Sequence, residues 1–438
     1  MKKDFLYMEL YHHFQERIMN QSILPGEKMP SIRKCTIDMN CSRTTVENAY
    51  LQLAADGYII AKSQSGYYVT SIARHALTNT ESPVIPTQHA AIKYDLSSTG
   101  VDRESFDFEL WRRYLKSALR QNERLLNYGE PQGEYDFRQA LAKYVRDSRN
   151  IICSPDDIVI GAGTQNLLQI LAPLLNDRKT VSFPSQEFVH GPTVFNDYGF
   201  DVHFRDKNCE IIYVSPAHMT KWGQIMPVSR RMELTNLAQE NNSIIIEDDF
   251  ENEFVYLQKP TPSLFNLSGG KNVVYIGSFS RLLLPSIRVS FMILSGALRD
   301  RYRERSKYYN QTASKAEQIA LCQFIRDGHL KSQIRKLRRL YTLKIKSLTE
   351  AIEKVFGTSA KITPGDAGTS ISLTLTLPHV LTNSFIKEIE KKAQTNGLRL
   401  PILNYKDRKL TLLLSASSMS AQDYQPACEI LHEILYTK

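Results

Sequence analysis

From Tyr94 onward, this chain alternates short apolar runs with stretches of helical periodicity. Short runs of β-branched residues bounded by turn signals are typical of buried strands. Strands that alternate with helices in this way are the pattern of an α/β domain. The predicted strands are Ile158–Ile160, Thr180–Phe183, Ile211–Val214, Ser243–Ile246, Val273–Ile276 and Ser290–Leu294.

The pattern changes towards the end of the sequence. Residues Leu298–Phe356 have a long helical character, and two further strands, Thr369–Leu377 and Leu410–Leu414, flank a helical segment at Asn383–Gln394. This arrangement predicts a small α+β terminal subdomain. With 438 residues, the chain is too long for one domain and suits roughly two to four.

The first part of the chain has a different pattern. Apolar residues recur at every fourth position, which predicts an amphipathic first helix: Leu6, Leu10, Phe14 and Ile18. Pro25 and Gly26 end that helix, and Pro30–Ser31 opens a second, short one. Ser42 suits the N-cap of a third helix, whose core face has the spacing Val46, Ala49, Tyr50 and Leu53.

The third helix also carries a polar face, and a hairpin follows it. The polar residues are Arg43, Thr44, Glu47 and Asn48. Two predicted strands, Gly57–Ala61 and Gly66–Thr70, enclose a polar tip and form a small wing. Two short helices, a polar-faced third helix and a hairpin together predict an α+β winged helix-turn-helix. The formal net charge of +9 favours an anionic partner such as nucleic acid.

This segment resembles the DNA-binding domain of the GntR family of bacterial regulators nearly end to end. The matching phrases are Leu24–Arg33, Cys41–Tyr50, Asp56–Tyr58 and Ser65–Tyr67. The resemblance implies that the domain binds double-stranded operator DNA through Arg33, Arg43 and Thr44, and that the tip around Gly66 reaches a groove. Chemically, Ser42 and Thr45 suit phosphates, and Arg43 suits the edge of a guanine. The alternative is a polar face that is merely solvated.

Residues 1–75 are therefore interpreted as the DNA-binding domain, and 76–93, rich in Thr, Asn, Ser and Pro, as a linker. The remainder, 94–438, resembles the fold-type I aminotransferase-like domain of MocR-type regulators, which are members of the GntR family. The resemblance is carried by Tyr128–Gly133, Gly161–Gln165, Met226–Arg231, Glu247–Phe254 and Tyr275–Arg288. It implies a homodimer whose larger domain senses a small-molecule effector.

The segment after the strand Val273–Ile276 has the parts of a phosphate-binding corner, since hydroxyls and cations follow the strand end. These are Ser278, Ser280, Arg281 and Arg288. The resemblance implies that Gly163, Thr164, Ser278 and Arg288 hold the phosphate of pyridoxal phosphate. It also implies that Asp248 keeps the cofactor's ring nitrogen protonated. The alternative for Asp248 is a surface acid at the end of a strand.

The reacting groups of the family are replaced in this chain. Arg281 stands where the family has the lysine that makes a Schiff base, and a guanidinium cannot shed its proton below pH ~12. Phe250 stands where the family has a tyrosine that bonds the cofactor's 3′-oxygen. Ala217–Gly223 lacks the family's Pro-Thr pair, and the substrate arginine aligns with Thr411. We therefore expect a pseudo-enzyme, in which Arg281 adds a second cation for a pyridoxal phosphate held without a covalent bond, or for another phosphorylated ligand.

Three interpretations remain open. The first is a transcriptional regulator whose larger domain senses a ligand and dimerises. The second is a pyridoxal phosphate-dependent aminotransferase-type enzyme with a DNA-binding appendage, which would need Lys221 as a surrogate amine. The third is a larger domain that only dimerises and binds nothing.

Cysteine spacing and hydropathy place the protein in the cytoplasm. The six cysteines are scattered and form no Cys-x-x-Cys pair, so we expect reduced thiols and no metal site. No apolar run approaches the ~20 residues that cross a bilayer, and the first residues lack the apolar core of a signal peptide.

Overall fold

The computed structural model describes residues 3–71, 92–97, 100–102, 104–186, 190–255, 261–417 and 419–436. The chain divides into two compact units, Met1–His89 and Ala90–Lys438. Most of the predicted linker lies outside the described residues, and the boundaries at residues 75 and 93 stay predictions. Within the described ranges, no helix is both long enough and apolar enough to cross a membrane.

The smaller unit is a winged helix-turn-helix, as predicted. Its elements are α1 (Lys3–Met19), α2 (Ile32–Asp38), α3 (Arg43–Ala55), β1 (Ile59–Lys62) and β2 (Gly66–Val69). Ser31 and Ser42 begin α2 and α3, because each hydroxyl accepts a hydrogen bond from a backbone N–H three residues on. The predicted core residues of α1 and α3 are buried together, although the side chain of Leu6 lies outside the described part.

The larger unit contains the remaining elements. The first of these, in chain order, are β3 (Tyr94–Asp95), α4 (Phe108–Leu119), α5 (Asn122–Leu125), α6 (Tyr135–Arg149), β4 (Ile158–Gly161), α7 (Thr164–Leu171), β5 (Thr180–Phe183), α8 (His190–Asp197), β6 (Asp201–Phe204), β7 (Ile211–Val214), α9 (Val228–Glu240), β8 (Ile244–Asp248), α10 (Leu264–Leu267), β9 (Val273–Ser278) and β10 (Ser290–Ile293). Those that follow are α11 (Gly296–Ser306), α12 (Lys315–Arg326), α13 (His329–Phe356), β11 (Ala360–Pro364), β12 (Ser370–Thr376), α14 (Asn383–Thr395), β13 (Leu398–Arg399), β14 (Ile402–Lys406), β15 (Lys409–Ser415) and α15 (Tyr424–Tyr436).

A seven-stranded sheet in the order β4-β10-β9-β8-β7-β5-β6 forms the centre of this unit. Its strands are parallel except β10, which runs antiparallel to both β4 and β9. Successive residues of each strand point to opposite faces: Ile158 and Ile160 join one core and Val159 joins the other. Helices cover both faces, which confirms the predicted α/β class. The prediction omitted the edge strand β6, whose residues are exposed or half-buried.

The terminal subdomain is built on an antiparallel sheet in the order β11-β12-β15-β14. Its core also takes residues from the second half of α13 and from α14 and α15. The predicted α+β subdomain is thus confirmed, with two strands, β11 and β14, that the prediction omitted. The prediction of one long helical stretch over Leu298–Phe356 was wrong in its continuity. Gly328, at a φ of +79°, separates α12 from α13, and Ser314 caps the start of α12.

The register of the sheet brings the predicted site segments to one edge. Ser290, the first residue of β10, lies opposite Gly161 of β4 on one side and opposite Ser278 of β9 on the other. Asp248, the last residue of β8, lies opposite Ile276 of β9. The ends of β4, β8 and β9 therefore meet at the same edge, where ligand sites of α/β sheets commonly lie.

Candidate functional site

The first part of the site is a cationic corner at the N-terminus of α7. Gly163 immediately precedes α7 at a φ of +99°, and no side chain caps the helix. A Cβ on Gly163 would lie 2.4 Å from a terminal guanidinium nitrogen of Arg288. The absence of a side chain at Gly163 therefore leaves the space that the Arg288 guanidinium occupies next to the start of α7. A guanidinium and uncapped helix N–H groups together favour an anion.

Arg288 is exposed, and among the described residues it has no carboxylate partner. Thr164, which follows Gly163 as the first residue of α7, is half-buried. The predicted pair Gly163 and Arg288 is thus brought into contact. We call this arrangement of Gly163, Thr164 and Arg288, together with the serines below, the anion corner.

Three hydroxyls lie at the same edge of the sheet. Ser290 Oγ donates a hydrogen bond to Ser278 Oγ over 3.0 Å, and Ser278 Oγ lies 3.4 Å from both the backbone nitrogen and Oγ of Ser280. Ser278 and Ser280 were predicted, whereas Ser290 was placed only in a strand. Its partners follow from the register of β10 between β4 and β9, which a single sequence does not give.

Asp248 is a buried acid at the end of β8, not a surface acid. Its exposed fraction is 6%, and the hydroxyl of Tyr213 donates a hydrogen bond to Asp248 Oδ2. Burial raises the pKa of Asp248 to about 6, although the bond from Tyr213 opposes this rise. Such a carboxyl is readily stabilised in its ionised form by a cationic group of a ligand. Tyr213 escaped the sequence prediction because it lies within an ordinary apolar strand.

Glu251 and Gly100 are two of the partners of the Arg281 side chain. Its Nε lies 2.5 Å from Glu251 Oε1, and its Nη1 donates a hydrogen bond of 3.0 Å to the carbonyl oxygen of Gly100. The guanidinium carbon lies 5.9 Å from the centre of the Phe250 ring. Arg281 was expected to add a second cation to the anion corner, but its charge is compensated by Glu251.

Glu251 is the residue that makes this arrangement possible. Its side chain is only 3% exposed, and its backbone has a φ of +56°. Burial acts to raise the pKa of Glu251, but Arg281 and then His218 outweigh burial and lower the pKa to about 2. His218 Nε2 lies 3.2 Å from Glu251 Oε2. Glu251 therefore remains an anion paired with Arg281 at every pH near neutrality.

The loop before β12 packs against Glu251 and His218. Gly368 has a φ of +83°, and a Cβ there would lie 2.8 Å from His218 Cε1 and 2.9 Å from Glu251 Oε2. The backbone N–H of Gly368 donates a hydrogen bond to the carbonyl oxygen of Phe254 over 3.1 Å. Sequence reasoning missed Glu251, His218 and Gly368, although Glu251 lies within a block that carried the family resemblance.

A second buried ion pair lies directly after the end of β8. Arg149 Nε lies 2.7 Å from Asp249 Oδ2, with side-chain exposures of 7% and 2%, and Tyr275 donates a hydrogen bond to Asp249. Glu247 accepts the backbone N–H groups of Leu264 and Phe265. The two acids next to Asp248 in sequence therefore have structural partners within the protein, and Asp248 is the acid that lies at the candidate site.

Of the residues predicted to replace the family's reacting groups, Phe250 lies near Arg281, whereas Thr411 lies in the terminal subdomain. Phe250 is 37% exposed and contacts the ring of His218 at a centroid distance of 5.4 Å. Lys221 is exposed in the loop between β7 and α9. Thr411 lies in β15, where its hydroxyl is 3.2 Å from that of Thr374 on β12. Thr411 is thus part of a cross-strand pair in the terminal sheet.

The candidate DNA-binding residues lie on α2, at the start of α3 and at the tip of the wing. Arg33, Arg43, Thr44 and Gly66 are exposed, whereas Thr45 is half-buried. The Arg43 side chain is 80% exposed and pairs with Glu47 over 2.8 Å. An exposed pair of this kind contributes little stability and can exchange for a DNA contact.

Ser42 has a structural function on this surface. Its Oγ accepts the backbone N–H of Thr45 over 3.2 Å and lies 2.8 Å from the hydroxyl of Thr45. The predicted cap is therefore present. A phosphate contact by Ser42 stays a prediction, and it would have to share the hydroxyl with this cap.

One group of potential metal ligands lies outside the site. Side-chain atoms of His203, Asp206 and Cys209 lie within 4.8 Å of one another. However, His203 pairs with Asp201 over 3.0 Å, and Asp206 accepts the backbone N–H of Asn208. Two of the three candidate ligands thus have protein partners that hold the loop between β6 and β7.

The site residues fit one half of pyridoxal phosphate. Gly163, Arg288 and the serines fit its phosphate, and Asp248 fits a protonated ring nitrogen. Arg281 does not fit its aldehyde, because a guanidinium is no nucleophile at neutral pH. Phe250 offers no hydroxyl to a ring oxygen. The arrangement therefore suits an anionic ligand held without covalent attachment.

Comparison with known proteins gives two family matches. Residues 6–69 match the family described as "Bacterial regulatory proteins, gntR family". Residues 91–213 and 203–391 match the family "Aminotransferase class I and II". The two matches fall in the smaller and the larger unit, respectively.

Relatives with the same combination extend over most of the chain. The uncharacterized HTH-type transcriptional regulator YdeL of Bacillus subtilis is 33% identical over 413 residues, which cover 90% of this chain and 88% of that protein. The probable rhizopine catabolism regulatory protein MocR of Rhizobium meliloti is 25% identical, with coverage of 83% and 80%.

Solved structures with the fold of the larger unit are aminotransferases. LysN, the α-aminoadipate aminotransferase of Thermus thermophilus, has a TM-score of 0.65 at 18% identity and covers 78% of this chain and 91% of its own. Kynurenine aminotransferase of Pyrococcus horikoshii, solved in complex with PMP, has a TM-score of 0.64 at 22% identity, with coverage of 83% and 94%. At these identities the likeness shows the fold alone.

Proposed function

We propose that this chain, which belongs to the MocR-type transcriptional regulators of the GntR family, senses an anionic ligand with a catalytically inactive aminotransferase-like domain. One observation carries the proposal. The side chain at the Schiff-base position, Arg281, is held by Glu251 and Gly100, whereas Arg288 in the anion corner has no carboxylate partner among the described residues. The site thus keeps its means of binding a phosphate and lacks its means of attacking a carbonyl.

DNA binding belongs to the smaller unit in this proposal. The exposed Arg43 and Thr44 at the start of α3 read base edges, and Arg33 on α2 contacts the backbone. The wing tip around Gly66 enters the neighbouring groove. The formal charge of +9 favours an initial encounter with DNA.

The ligand of the larger unit is pyridoxal phosphate, its amine form, or another phosphorylated metabolite. In each case Gly163, Arg288 and Ser278 hold the phosphate, and no covalent bond forms. Asp248, with a pKa of about 6 caused mainly by its burial, holds the proton of a ring nitrogen. Pyridoxal phosphate, when bound, would supply an electron-withdrawing ring, and Arg281 offers no amine to use it.

The larger unit also dimerises the protein in this proposal, so that two winged modules read two half-sites. A ligand then acts by favouring one arrangement of those modules over another. Coupling between two sites is commonly about 1–3 kcal/mol, which corresponds to roughly 5- to 150-fold in affinity. The same factor must link DNA binding back to ligand binding.

The test begins with the visible spectrum of the purified full-length protein, before and after addition of pyridoxal phosphate. We expect no band that borohydride converts into a covalent adduct. A band that requires Lys221 would establish the enzyme interpretation instead. Mass spectrometry of the native protein for a co-purified small molecule identifies the ligand directly.

Thermal unfolding and DNA binding complete the test. Pyridoxal phosphate or its amine form should raise the melting temperature of the wild type, by mass action on the folded state, and should change its affinity for a fragment of its own promoter region. Arg288→Ala should abolish the thermal shift. Arg301→Ala is the matched control, because Arg301 forms its ion pair with Asp177 over 2.7 Å. If no phosphorylated ligand shifts the wild type, the larger unit only dimerises.

A further inference from the structure

Arg281 connects parts of the larger unit that are far apart in sequence. It follows β9, and its guanidinium contacts both Glu251, in the loop after β8, and Gly100, in the segment that precedes α4. His218, from the loop after β7, lies within 3.2 Å of the other oxygen of Glu251. One side chain thus joins the edge of the central sheet to the beginning of the larger unit.

The segment that contains Gly100 has a particular position along the chain. It lies between β3, the first strand after the predicted linker, and α4. Two residues on, Asp102 forms a buried ion pair with Lys344 of α13, each side chain being 7% exposed. The backbone N–H of Asp102 also donates a hydrogen bond of 3.5 Å to Tyr341. These contacts fix the end of the segment nearer α4, and Arg281 holds Gly100. On the side nearer the linker, β3 pairs with β13.

The same arginine is adjacent to the anion corner. Ser280 precedes it directly, and Ser278 lies at the end of β9. The N–H groups of Leu282 and Leu283 both donate hydrogen bonds to the carbonyl oxygen of Phe279, which closes a tight turn. A phosphate that draws Ser278 or Ser280 towards it therefore moves a turn that includes Arg281.

The ion pair is well suited to transmit such a movement. The side chains of Arg281 and Glu251 are 17% and 3% exposed, so water cannot readily replace either partner if the pair separates. A small shift of the turn must therefore carry Glu251 and Gly100 with it or break the contacts outright. Packed arrangements of this kind have discrete alternatives and do not deform smoothly.

We propose that Arg281 is a positioning residue that couples occupancy of the anion corner to the segment at Gly100, and through that segment and β3 to the linker. The inference rests on the proposed ligand-sensing function and adds the means of coupling. The arginine at the Schiff-base position is then a working part of the regulator and not simply the trace of a lost lysine.

The test compares full-length wild type with Arg281→Gln and Glu251→Gln, using the amine form of pyridoxal phosphate as the probe. Arg281→Gln keeps hydrogen-bond donors and removes the charge, and Glu251→Gln removes the charge from the other partner. Arg301→Ala serves again as a control for loss of an arginine. Each protein is measured for the thermal shift caused by the probe, for promoter-fragment affinity with and without it, and for hydrogen exchange in residues 92–102.

We expect both glutamine variants to retain the thermal shift within about twofold in apparent ligand affinity. The ligand-dependent change in DNA affinity should fall from the roughly 5-fold or more typical of coupled sites to less than about 2-fold. Hydrogen exchange at 92–102 should respond to the probe in the wild type and not in the variants. Two substitutions on opposite partners guard against the failure of one variant to fold.

Other outcomes would overturn the inference in distinguishable ways. If the glutamine variants lose the thermal shift and the DNA response together, Arg281 is simply part of the ligand site. If they lose neither, Arg281 plays no part in the coupling. If the wild type itself shows no thermal shift and no DNA response, the proposed sensing function is wrong, and the inference fails with it.

Discussion

Replacement of Arg281 by lysine tests the interpretation of the larger unit in one substitution. Arg281→Lys introduces an amine at the position proposed to correspond to the family's Schiff-base lysine. This position is next to the anion corner and follows β9, the strand adjacent to the one that ends at the buried Asp248. It also removes a guanidinium that contacts Glu251 and Gly100. The new amine should allow pyridoxal phosphate to attach covalently. Loss of the guanidinium should lower the free energy of unfolding when the ligand is absent.

The expected loss of stability follows from the geometry. An arginine can address two partners at once with different nitrogens, as Arg281 does with Glu251 at 2.5 Å and Gly100 at 3.0 Å. Lysine has a single ammonium group and can keep the carboxylate while losing the carbonyl. A hydrogen bond that involves a charged group contributes about 1.5–3 kcal/mol. We therefore expect the free energy of unfolding of Arg281→Lys to fall by about 1.5–3 kcal/mol without ligand.

Urea unfolding measures that loss, and the visible spectrum with borohydride trapping and peptide mapping measures attachment at residue 281. Addition of pyridoxal phosphate should restore the stability lost by Arg281→Lys, because attachment occurs only in the folded state. Adding Phe250→Tyr should strengthen the band, since the new hydroxyl can bond the cofactor's 3′-oxygen. If neither variant forms a band, the pocket no longer fits the cofactor. If the free energy of unfolding is unchanged, the contacts of Arg281 with Glu251 and Gly100 do not stabilise the protein.

Three further predictions concern single residues. Asp248→Asn should match the wild type in stability near pH 4 and exceed it by up to about 3 kcal/mol near pH 7.5. The reason is that burial raises the pKa of Asp248 from 3.8 to about 6. The wild type therefore loses stability as the pH rises from about 4 to above 6, because a buried carboxyl group must then ionise. Equal pH profiles of the two proteins in urea unfolding would contradict this prediction. Arg288→Ala should reduce the affinity for inorganic phosphate and phosphorylated ligands at least tenfold in calorimetry, and unchanged binding would remove Arg288 from the anion corner. Arg43→Ala should cost about 1–3 kcal/mol in promoter binding and relax specificity at one position, whereas a uniform loss across DNA sequences would indicate a phosphate contact.

The fold was largely predictable because its central strands are rich in apolar residues and buried over most of their length. β5 and β7 have the bounds that were predicted, since both faces of these strands are buried and each residue contributes to the pattern. β6 and β14 were omitted because an edge strand with exposed residues has no continuous apolar run. The break before α13 depends on Gly328 in a left-handed conformation, and one glycine within a helical pattern is a weak signal.

The candidate site was predictable only where its residues follow a strand end. Ser278 and Arg288 belong to one short segment, and the turn at Gly163 begins a helix, so local pattern sufficed for them. Tyr213 reaches Asp248 across 35 residues, and Arg281 reaches Gly100 across 181. Contacts between residues so far apart in sequence depend on strand order and loop packing, which one sequence does not reveal.

The pairing of Arg281 with Glu251 bears on the proposal that an arginine stands at the family's Schiff-base position. A guanidinium that is 17% exposed needs a carboxylate partner, since an isolated charge in such a place is costly. Glu251 meets this need from a left-handed backbone conformation, and Gly368 leaves the space that its carboxylate and His218 occupy. A drifting, unused pocket would require none of these features together. These features around Arg281 fit its proposed function of positioning Gly100, because they hold the guanidinium and its carboxylate partner in place.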